Sequence, residues 1–287
     1  DMIIVHGDRV EALAGASVGS LNNILTVHVE GGERSGTIDE LIRHAVSKLS
    51  HVHLVANREA RARLIQMGEM DASIFVIGSP DIDLMMSPNL PSLNTVKQRY
   101  NIDFTNYGIA MLHPVTTELD RLQRNLEVFI RVIKKCERNI ILIFPNNDSG
   151  SEVILSGYDE LQSDNVKIIP SMRFEYFLAA LKHSQFIMGN SSAGIREAPY
   201  YRVPSINLGS RQLNRSNNAL IKHLDFDEKE ILLAIADVPK TREVNIPAID
   251  TEFGLGNSAK QFIDLIRSDA IWNIDVQKQF IDTVRGS

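Results

Sequence analysis

The side chains best suited to chemistry lie in the stretch "TVHVEGGERSGTIDELIRH", residues 26–44. Glu30, Glu33 and Asp39 fall within ten residues there, and an alternation of apolar residues that ends at Val29 leads directly into them. Burying a carboxylate costs several kcal/mol unless the group is paired or used. The pattern therefore indicates that these acids are either held by partners or employed in a reaction.

Composition excludes several classes of function. The chain has 287 residues, of which 44% are hydrophobic and 23% charged, and its net charge of −6 argues against a nucleic-acid or anionic-membrane partner. The single Cys136 excludes an internal disulfide and a cysteine-built metal site. That cysteine usage is typical of a reducing cytoplasm, where we expect the protein to be located.

The chain begins with "DMIIVHGD", an apolar strand pattern that neither starts with Met nor follows another element. A short apolar strand is seldom the edge of a domain. We therefore expect the N-terminal domain to be incomplete in this sequence.

Short apolar strands alternate with helical patterns, such as those over residues 38–49 and 119–135. This alternation predicts an α/β fold with two Rossmann-like, doubly wound domains, whose strand carboxyl ends face across a cleft. The turn-rich stretch 87–106 is the predicted boundary. We predict domains over residues 1–97 and 98–268, followed by a C-terminal helix over 269–287, where Trp272, Val276, Phe280 and Val284 have helical spacing.

The motif "GNSSAGIREAPYY", residues 189–201, follows a predicted strand and precedes a short predicted helix. Backbone N–H groups around Ser192 and Gly194 and the hydroxyls of Ser191 and Ser192 can bind a phosphate at such a helix start. Glu197 can accept hydrogen bonds from a ribose diol. The alternative, which the pattern favours equally, is a plain serine cap with a glycine turn.

Further polar loops follow other predicted strands in the motifs "LHPVTTE", "FPNNDSG", "GSRQLNR" and "HGDR". His113 can donate to a phosphate or carry a proton, Asn146 can form two-sided hydrogen bonds, and Arg211 can fork onto a diphosphate. Taken singly, each is more often a structural histidine, a turn or a solvated arginine, and Asp8 before a helix is often a cap. Together they describe acids and phosphate donors that suit a sugar nucleotide.

These motifs, in this order, resemble the hydrolysing UDP-N-acetylglucosamine 2-epimerases of sialic acid biosynthesis. The resemblance runs from Asp1 to about Asn214 and continues more loosely to "IWNIDVQKQFID". It implies a GT-B-like fold, with the catalytic acids in the first domain and UDP binding in the second. It also implies that the final helix packs back on the first domain. Non-hydrolysing relatives carry Pro-Glu-Glu-x-Asn-Arg where this chain has "TIDELIR", and a Gly-His-Arg-Arg type loop where it has "LHPVTTE".

The resemblance also implies roles for individual residues. The catalytic acids fall on Asp8, Glu30 and Asp39, and Glu33 is expected to be a bystander that pairs with Arg34 or Arg43. Contacts to UDP and substrate are implied at the following residues: Arg9, His113, Asn146, Met172, Ser191, Ser192, Gly194, Glu197 and Arg211.

The reaction implied converts UDP-GlcNAc and water to N-acetylmannosamine and UDP, through elimination to 2-acetamidoglucal and hydration. Neither a metal nor a nicotinamide cofactor is needed, and a homo-oligomer, a dimer or tetramer, is implied. The sequence does not decide which carboxylate is the base. Alternatives are the same chemistry on a UDP-2,4-diacetamido-6-deoxyhexose, a GT-B glycosyltransferase, and a non-catalytic nucleotide-sugar-binding module.

Overall fold

The computed structural model of the chain describes residues 1–34, 38–213, 215–216, 218–243, 253–279 and 281. The chain folds into two compact units. The first comprises Asp1–Ser87 together with the described residues from 253 onward, and the second begins at Pro88. The crossing into the second unit falls inside the turn-rich stretch 87–106, ten residues before the predicted boundary.

Strands of the described chain are short; those inside each sheet are buried, as expected for parallel sheets covered by helices, and those at the sheet edges are partly exposed. They are β1 (Met2–His6), β2 (Leu25–Val29), β3 (Val52–Val55), β4 (Ile74–Val76), β5 (Gly108–Met111), β6 (Ile140–Ile143), β7 (Val166–Ile169), β8 (Ile187–Gly189), β9 (Ser205–Leu208) and β10 (Ile221–Leu224).

The helices alternate with these strands along most of the chain. They are α1 (Val10–Leu21), α2 (Ile38–Leu49), α3 (Arg58–Gln66), α4 (Pro80–Met85), α5 (Leu93–Tyr100), α6 (Leu119–Lys135), α7 (Ser151–Tyr158), α8 (Phe174–Lys182), α9 (Glu197–Tyr200), α10 (Glu228–Glu243) and α11 (Ser258–Arg267). None of the helices in the described ranges is both long and apolar enough to cross a membrane.

The sheet of the first unit has the order β1-β2-β3-β4, with every pair parallel. Right-handed crossovers that step along a sheet in one direction place their helices on one face. On that face Val5 of β1 packs with Ala12 and Ala16 of α1 and with Val46 of α2.

The opposite face of this sheet is covered by the C-terminal part of the chain. Phe262 and Leu265 of α11, with Ile271 and Ile274 beyond it, pack against a buried cluster that contains Val27 and Leu54. Helix α11 therefore belongs to the first unit, whereas the sequence assigned it to the second.

The predicted helix over 269–287 differs from what the structure shows. Residues 269–279 form turns and irregular backbone. Asp275 Oδ1 accepts a hydrogen bond from the backbone N–H of Gln277 (2.8 Å), a local contact that competes with helical hydrogen bonds. Trp272 Nε1 donates to Ile266 O (2.8 Å), and the predicted positions Phe280 and Val284 lie outside the described residues.

The second unit has a six-stranded parallel sheet with the order β10-β9-β8-β5-β6-β7. This is the doubly wound Rossmann order, in which the strand order along the sheet reverses between β5 and β8 while all strands stay parallel. The apolar face of α6, with Leu122, Leu126, Phe129 and Ile133 at helical spacing, packs into its main core. The α/β fold class and the two Rossmann-like halves predicted from sequence are confirmed.

Candidate active site

The three predicted catalytic acids all lie at the carboxyl end of the β1–β2 pair. His6 of β1 aligns with Val29 of β2, so Asp8 and Glu30 each follow a strand end at nearly the same level. Asp39 is in the first turn of α2, where the N-terminal end of the helix dipole favours a carboxylate.

Asp8 is held by a buried arginine. Its Oδ2 accepts a hydrogen bond from Nη2 of Arg43, whose side chain is only 5% exposed. Arg43 also donates through Nη1 to the backbone oxygen of Glu33 (3.1 Å). A buried guanidinium requires a carboxylate partner, so Arg43 fixes Asp8 relative to the loop after β2.

Glu30 is buried and sits in a left-handed backbone conformation (φ 63°), which is uncommon outside glycine. Its Oε1 accepts a hydrogen bond from the Ser79 hydroxyl, and its Oε2 lies 3.2 Å from His6 Nε2. The backbone N–H of Glu30 donates to Leu54 O (2.9 Å), which fixes the turn to β3. The carboxylate therefore faces two groups that can exchange protons or hydrogen bonds with it.

Glycine is required two residues after Glu30. Gly32 has φ 75°, and a Cβ there would lie 2.3 Å from Ala60 O, so a side chain would displace the backbone of α3. Arg63 Nη1 donates to Gly32 O (3.2 Å). The loop that presents Glu30 is thus closely packed.

Arg9 and Asp39 approach each other, with Nη1 and Oδ1 3.7 Å apart. Arg9 is 54% exposed at its side chain, while Asp39 is 17% exposed. Glu33, the expected bystander, is buried at 6% exposure. The carboxylates differ in their surroundings, which is what acid–base chemistry requires of paired acids.

In the second unit the polar loops lie together at the carboxyl ends of the strands, beside the reversal of strand order between β5 and β8. His113 follows β5, Asn190 follows β8, and Asn146 follows β6. The backbone N–H of His113 donates to Asn190 Oδ1 (2.7 Å), and Asn190 Nδ2 donates to His113 O (2.8 Å). Ligands of doubly wound sheets bind at this reversal.

His113 is a neutral imidazole. Burial, assisted by the charge of Arg211, lowers its pKa to about 4. Its Nδ1 accepts the backbone N–H of Asn146 (3.0 Å), so we assign the ring proton to Nε2. A neutral Nε2–H donor suits a phosphate oxygen, while the alternative role of proton carrier near pH 7 is not favoured.

Arg211 also joins this group, because its Nη1 donates to Asn190 O (3.1 Å). Gln212, buried at 2% exposure, donates to the same oxygen (3.2 Å). Asn190 thereby connects His113 with the loop after β9. Neither Asn190 nor Gln212 was predicted as a site residue, although for Asn190 a polar residue directly after a predicted strand was an available signal.

The loop at 191–196 differs from the expected open helix start. Ser191 caps a single 3-10 turn over Ser192–Gly194, and α9 has only four residues. Gly194 N donates to Ser191 O (3.1 Å) and Ile195 N to Ser192 O (2.8 Å), so the turn itself uses these N–H groups. A Cβ on Gly194 would lie 2.6 Å from Ser205 Oγ, which gives this glycine a packing role.

The remaining predicted contacts lie in the same unit. Glu197 is buried at 6% exposure at the start of α9. Met172 lies between β7 and α8, and the next residue, Arg173, donates its backbone N–H to the Tyr100 hydroxyl (3.0 Å). Among the described residues, no three His, Cys, Asp or Glu side chains are arranged to hold a metal ion.

The fold and these loops define an α/β protein with two Rossmann-like units, polar groups at the strand carboxyl ends and carboxylates in the first unit. The family model described as UDP-N-acetylglucosamine 2-epimerase matches residues 1–267, and the chain belongs to that family. The resemblance stated from the motifs is confirmed at the level of the family.

Individual relatives agree with this assignment. The chain is 49% identical to a Neisseria meningitidis UDP-N-acetylglucosamine 2-epimerase over 98% of this chain and 75% of the relative. It is 34% identical to a Legionella pneumophila UDP-N,N'-diacetylbacillosamine 2-epimerase (hydrolyzing) over 93% of this chain and 71% of that protein. A crystal structure of Methanocaldococcus jannaschii UDP-GlcNAc 2-epimerase in complex with UDP-GlcNAc and UDP has the same fold. Its TM-score is 0.76 at 21% identity, over 93% of this chain and 75% of that one.

Proposed function

We propose that the chain catalyses the hydrolysing reaction of its family, which converts UDP-GlcNAc and water to N-acetylmannosamine and UDP. The observation that carries the proposal is the placement of Asp8, Glu30 and Asp39 at one sheet edge with different partners. The product would supply sialic acid or capsule sugar synthesis.

The first step is an elimination. A carboxylate base removes the proton from C2 as the C1–O bond breaks, its electron pair leaves with UDP, and the C1–C2 double bond of 2-acetamidoglucal forms. In the second step the oxygen of water bonds to C1 and a carboxylate takes the proton that the water loses, while a carboxylic acid returns a proton to C2 from the opposite face. Asp8, Glu30 and Asp39 share the roles of base, acid and stabiliser of positive charge at C1.

Departure of UDP is assisted when donors are already in place for the growing negative charge. We assign this role to Nε2–H of His113, to Arg211 and to the hydroxyls of Ser191 and Ser192. The backbone N–H of Asn146 holds the His113 ring, and the Asn190 side chain holds the His113 backbone.

Two observations favour the hydrolysing branch over the non-hydrolysing one. The chain has "TIDELIR" and "LHPVTTE" where the non-hydrolysing enzymes carry different motifs. A relative of 34% identity is itself named as hydrolyzing. The test is phosphorus NMR of the full-length protein with UDP-GlcNAc: free UDP supports hydrolysis, and an epimerised UDP-sugar with no UDP refutes it.

The same Legionella relative supports a second substrate, a UDP-2,4-diacetamido-6-deoxyhexose, for the same chemistry. Comparing kcat/KM for the two sugars decides between them. Calorimetry that shows UDP binding without turnover of either sugar would instead support a non-catalytic binding module. The homo-oligomer stays a prediction, which light scattering can check.

A further inference from the structure

One buried histidine contacts all three segments that carry the proposed acids. His28 is the penultimate residue of β2 and has no exposed surface. Its Nε2 lies 2.9 Å from Gly7 O, and its Nδ1 lies 3.0 Å from the Ser47 hydroxyl. Because a carbonyl oxygen only accepts, we assign the ring proton to Nε2, and Nδ1 then accepts from Ser47.

The two partners of His28, Gly7 and Ser47, belong to segments that carry proposed acids. Gly7, with φ 76°, immediately precedes Asp8 at the end of β1. His28 is two residues before Glu30, and Ser47 is on α2, the helix that carries Asp39 in its first turn.

The loop after Glu30 is packed onto the same histidine. A Cβ on Gly31 would lie 2.9 Å from His28 Nδ1 and 3.0 Å from the Ser47 hydroxyl. The backbone that presents Glu30 therefore rests on the His28–Ser47 pair, and any shift of the ring must move this loop.

Burying the polar ring nitrogens of a histidine at this position costs free energy, which an apolar residue would not require. Burial lowers the pKa of His28 to about 3, so the ring is neutral and must find two hydrogen-bond partners inside the protein. An apolar side chain of similar volume would fill the same space without that requirement. The choice of histidine thus points to a function in geometry rather than in packing.

We propose that His28 is the positioning residue for the three acids, setting the β1–α1 turn, the β2 loop and α2 relative to one another. It touches no substrate in this role. The inference rests on the proposed function, since the acids it positions are the proposed catalytic ones.

The neighbouring strand offers a matched control. His53 pairs in register with His28, is equally buried, and bonds through Nε2 to Glu69 (2.9 Å). Glu69 lies outside the three segments that carry Asp8, Glu30 and Asp39. His53→Leu therefore removes a buried histidine from the same sheet without the proposed connection.

The experiment compares His28→Leu, His28→Gln, Ser47→Ala and His53→Leu in full-length protein, each assayed below its melting temperature. His28→Leu is expected to lower kcat about 100-fold, the cost typical of an ångström-scale misplacement, with the Kd of UDP within threefold of wild type. His28→Gln keeps a donor for Gly7 O and should recover most of kcat. Ser47→Ala should lower kcat by about threefold to tenfold, and His53→Leu should lower the melting temperature while leaving kcat unchanged.

A kcat for His28→Leu equal to that of His53→Leu would overturn the proposal, as would a His28→Gln variant as defective as His28→Leu. Failure of the proposed function is separate, because the wild-type protein would then turn over neither UDP-sugar. In that case amide hydrogen exchange still tests whether His28 positions the three segments. His28→Leu should speed exchange in peptides 6–13 and 29–34 relative to His53→Leu. Unchanged exchange there would overturn the inference.

Discussion

His113 and Asn190 exchange two backbone–side-chain hydrogen bonds although 77 residues separate them in the chain. The exchange joins the ends of β5 and β8, where the strand order of the second sheet reverses. Asn190 is 1% exposed and also accepts from Arg211 and Gln212 through its own backbone oxygen. It therefore holds two of the proposed phosphate donors in place.

Asn190→Ala should weaken UDP binding at least ~10-fold, because it leaves the His113 backbone N–H and carbonyl without their partner, at ~1–3 kcal/mol for a buried group. Titration calorimetry with UDP measures the effect. Asn139→Ala is the control, since Asn139 Nδ2 donates to Asn106 O at the opposite end of the sheet (3.0 Å). Equal affinities for the two variants would remove Asn190 from the site.

Replacement of the acids tests the first unit. Asp8→Asn, Glu30→Gln and Asp39→Asn should each lower kcat by ~10² or more, as is typical for loss of an acid or base, with UDP affinity little changed. Steady-state kinetics with UDP-GlcNAc provides the measurement. Asp71→Asn is the control, because Asp71 forms an exposed ion pair with Arg61 (2.5 Å). Near-wild-type turnover in all three acid variants would refute the site assignment.

The neutral state of His113 gives a prediction about pH. Because its pKa is lowered to about 4, the ring keeps the same charge from pH 5.5 to 8, unlike a histidine with the ordinary value near 6.5. The ratio of UDP Kd values for His113→Gln and wild type should therefore be constant over that range, since titration of the phosphate cancels in the ratio. A ratio that rises as the pH falls through 6.5 would show that the imidazolium is the donor.

Much of the fold was predictable because it depends on periodicity. The apolar spacing predicted α2 and α6 at their observed bounds, and the strand alternation predicted the two Rossmann-like halves. Helix α10 was not predicted, because its internal Pro239 is a residue that usually breaks helices. Nor was β10 predicted, the short edge strand of the second sheet.

The site was predictable only in part. Residues that follow strands, such as Glu30 and His113, have a local signal in the sequence. The contacts that hold these residues have no local signal, because Arg43, Ser79 and Asn190 contact Asp8, Glu30 and His113 across 35, 49 and 77 residues of chain. A helix start with free N–H groups was expected near Gly194, but the backbone there forms a 3-10 turn. The sequence pattern does not distinguish these two backbone geometries.

A further prediction concerns stability rather than activity. The buried carboxylate of Glu69 pairs with Lys48, His53 and Lys278, and Lys278 also donates to Ser47 O (3.0 Å) near the C-terminal end of α2. Glu69→Gln should lower the free energy of unfolding by ~1–3 kcal/mol, because the buried His53 and the partly exposed ammonium groups of Lys48 and Lys278 lose the carboxylate that they share. Urea unfolding measures the loss, and Glu59→Gln, in an exposed pair with Arg63, should cost below ~0.5 kcal/mol.

The same carboxylate sets a pH dependence. Burial alone would raise the pKa of Glu69, but hydrogen bonds from His53, Lys278 and Lys48 hold it well below its ordinary value. Its stabilisation is therefore fully present above the unfolded pKa of about 4.5 and is lost as the pH falls below it. Wild type and Glu69→Gln should converge in stability in acid, and a constant difference down to pH 3 would contradict the assignment.

The most direct test of the central claim is proton NMR of the sugar released from UDP-GlcNAc in deuterated water. Removal and return of the C2 proton by carboxylates that exchange with solvent predicts N-acetylmannosamine with deuterium at C2, together with free UDP. N-acetylmannosamine that retains its original hydrogen at C2 would contradict the elimination and hydration proposed for Asp8, Glu30 and Asp39.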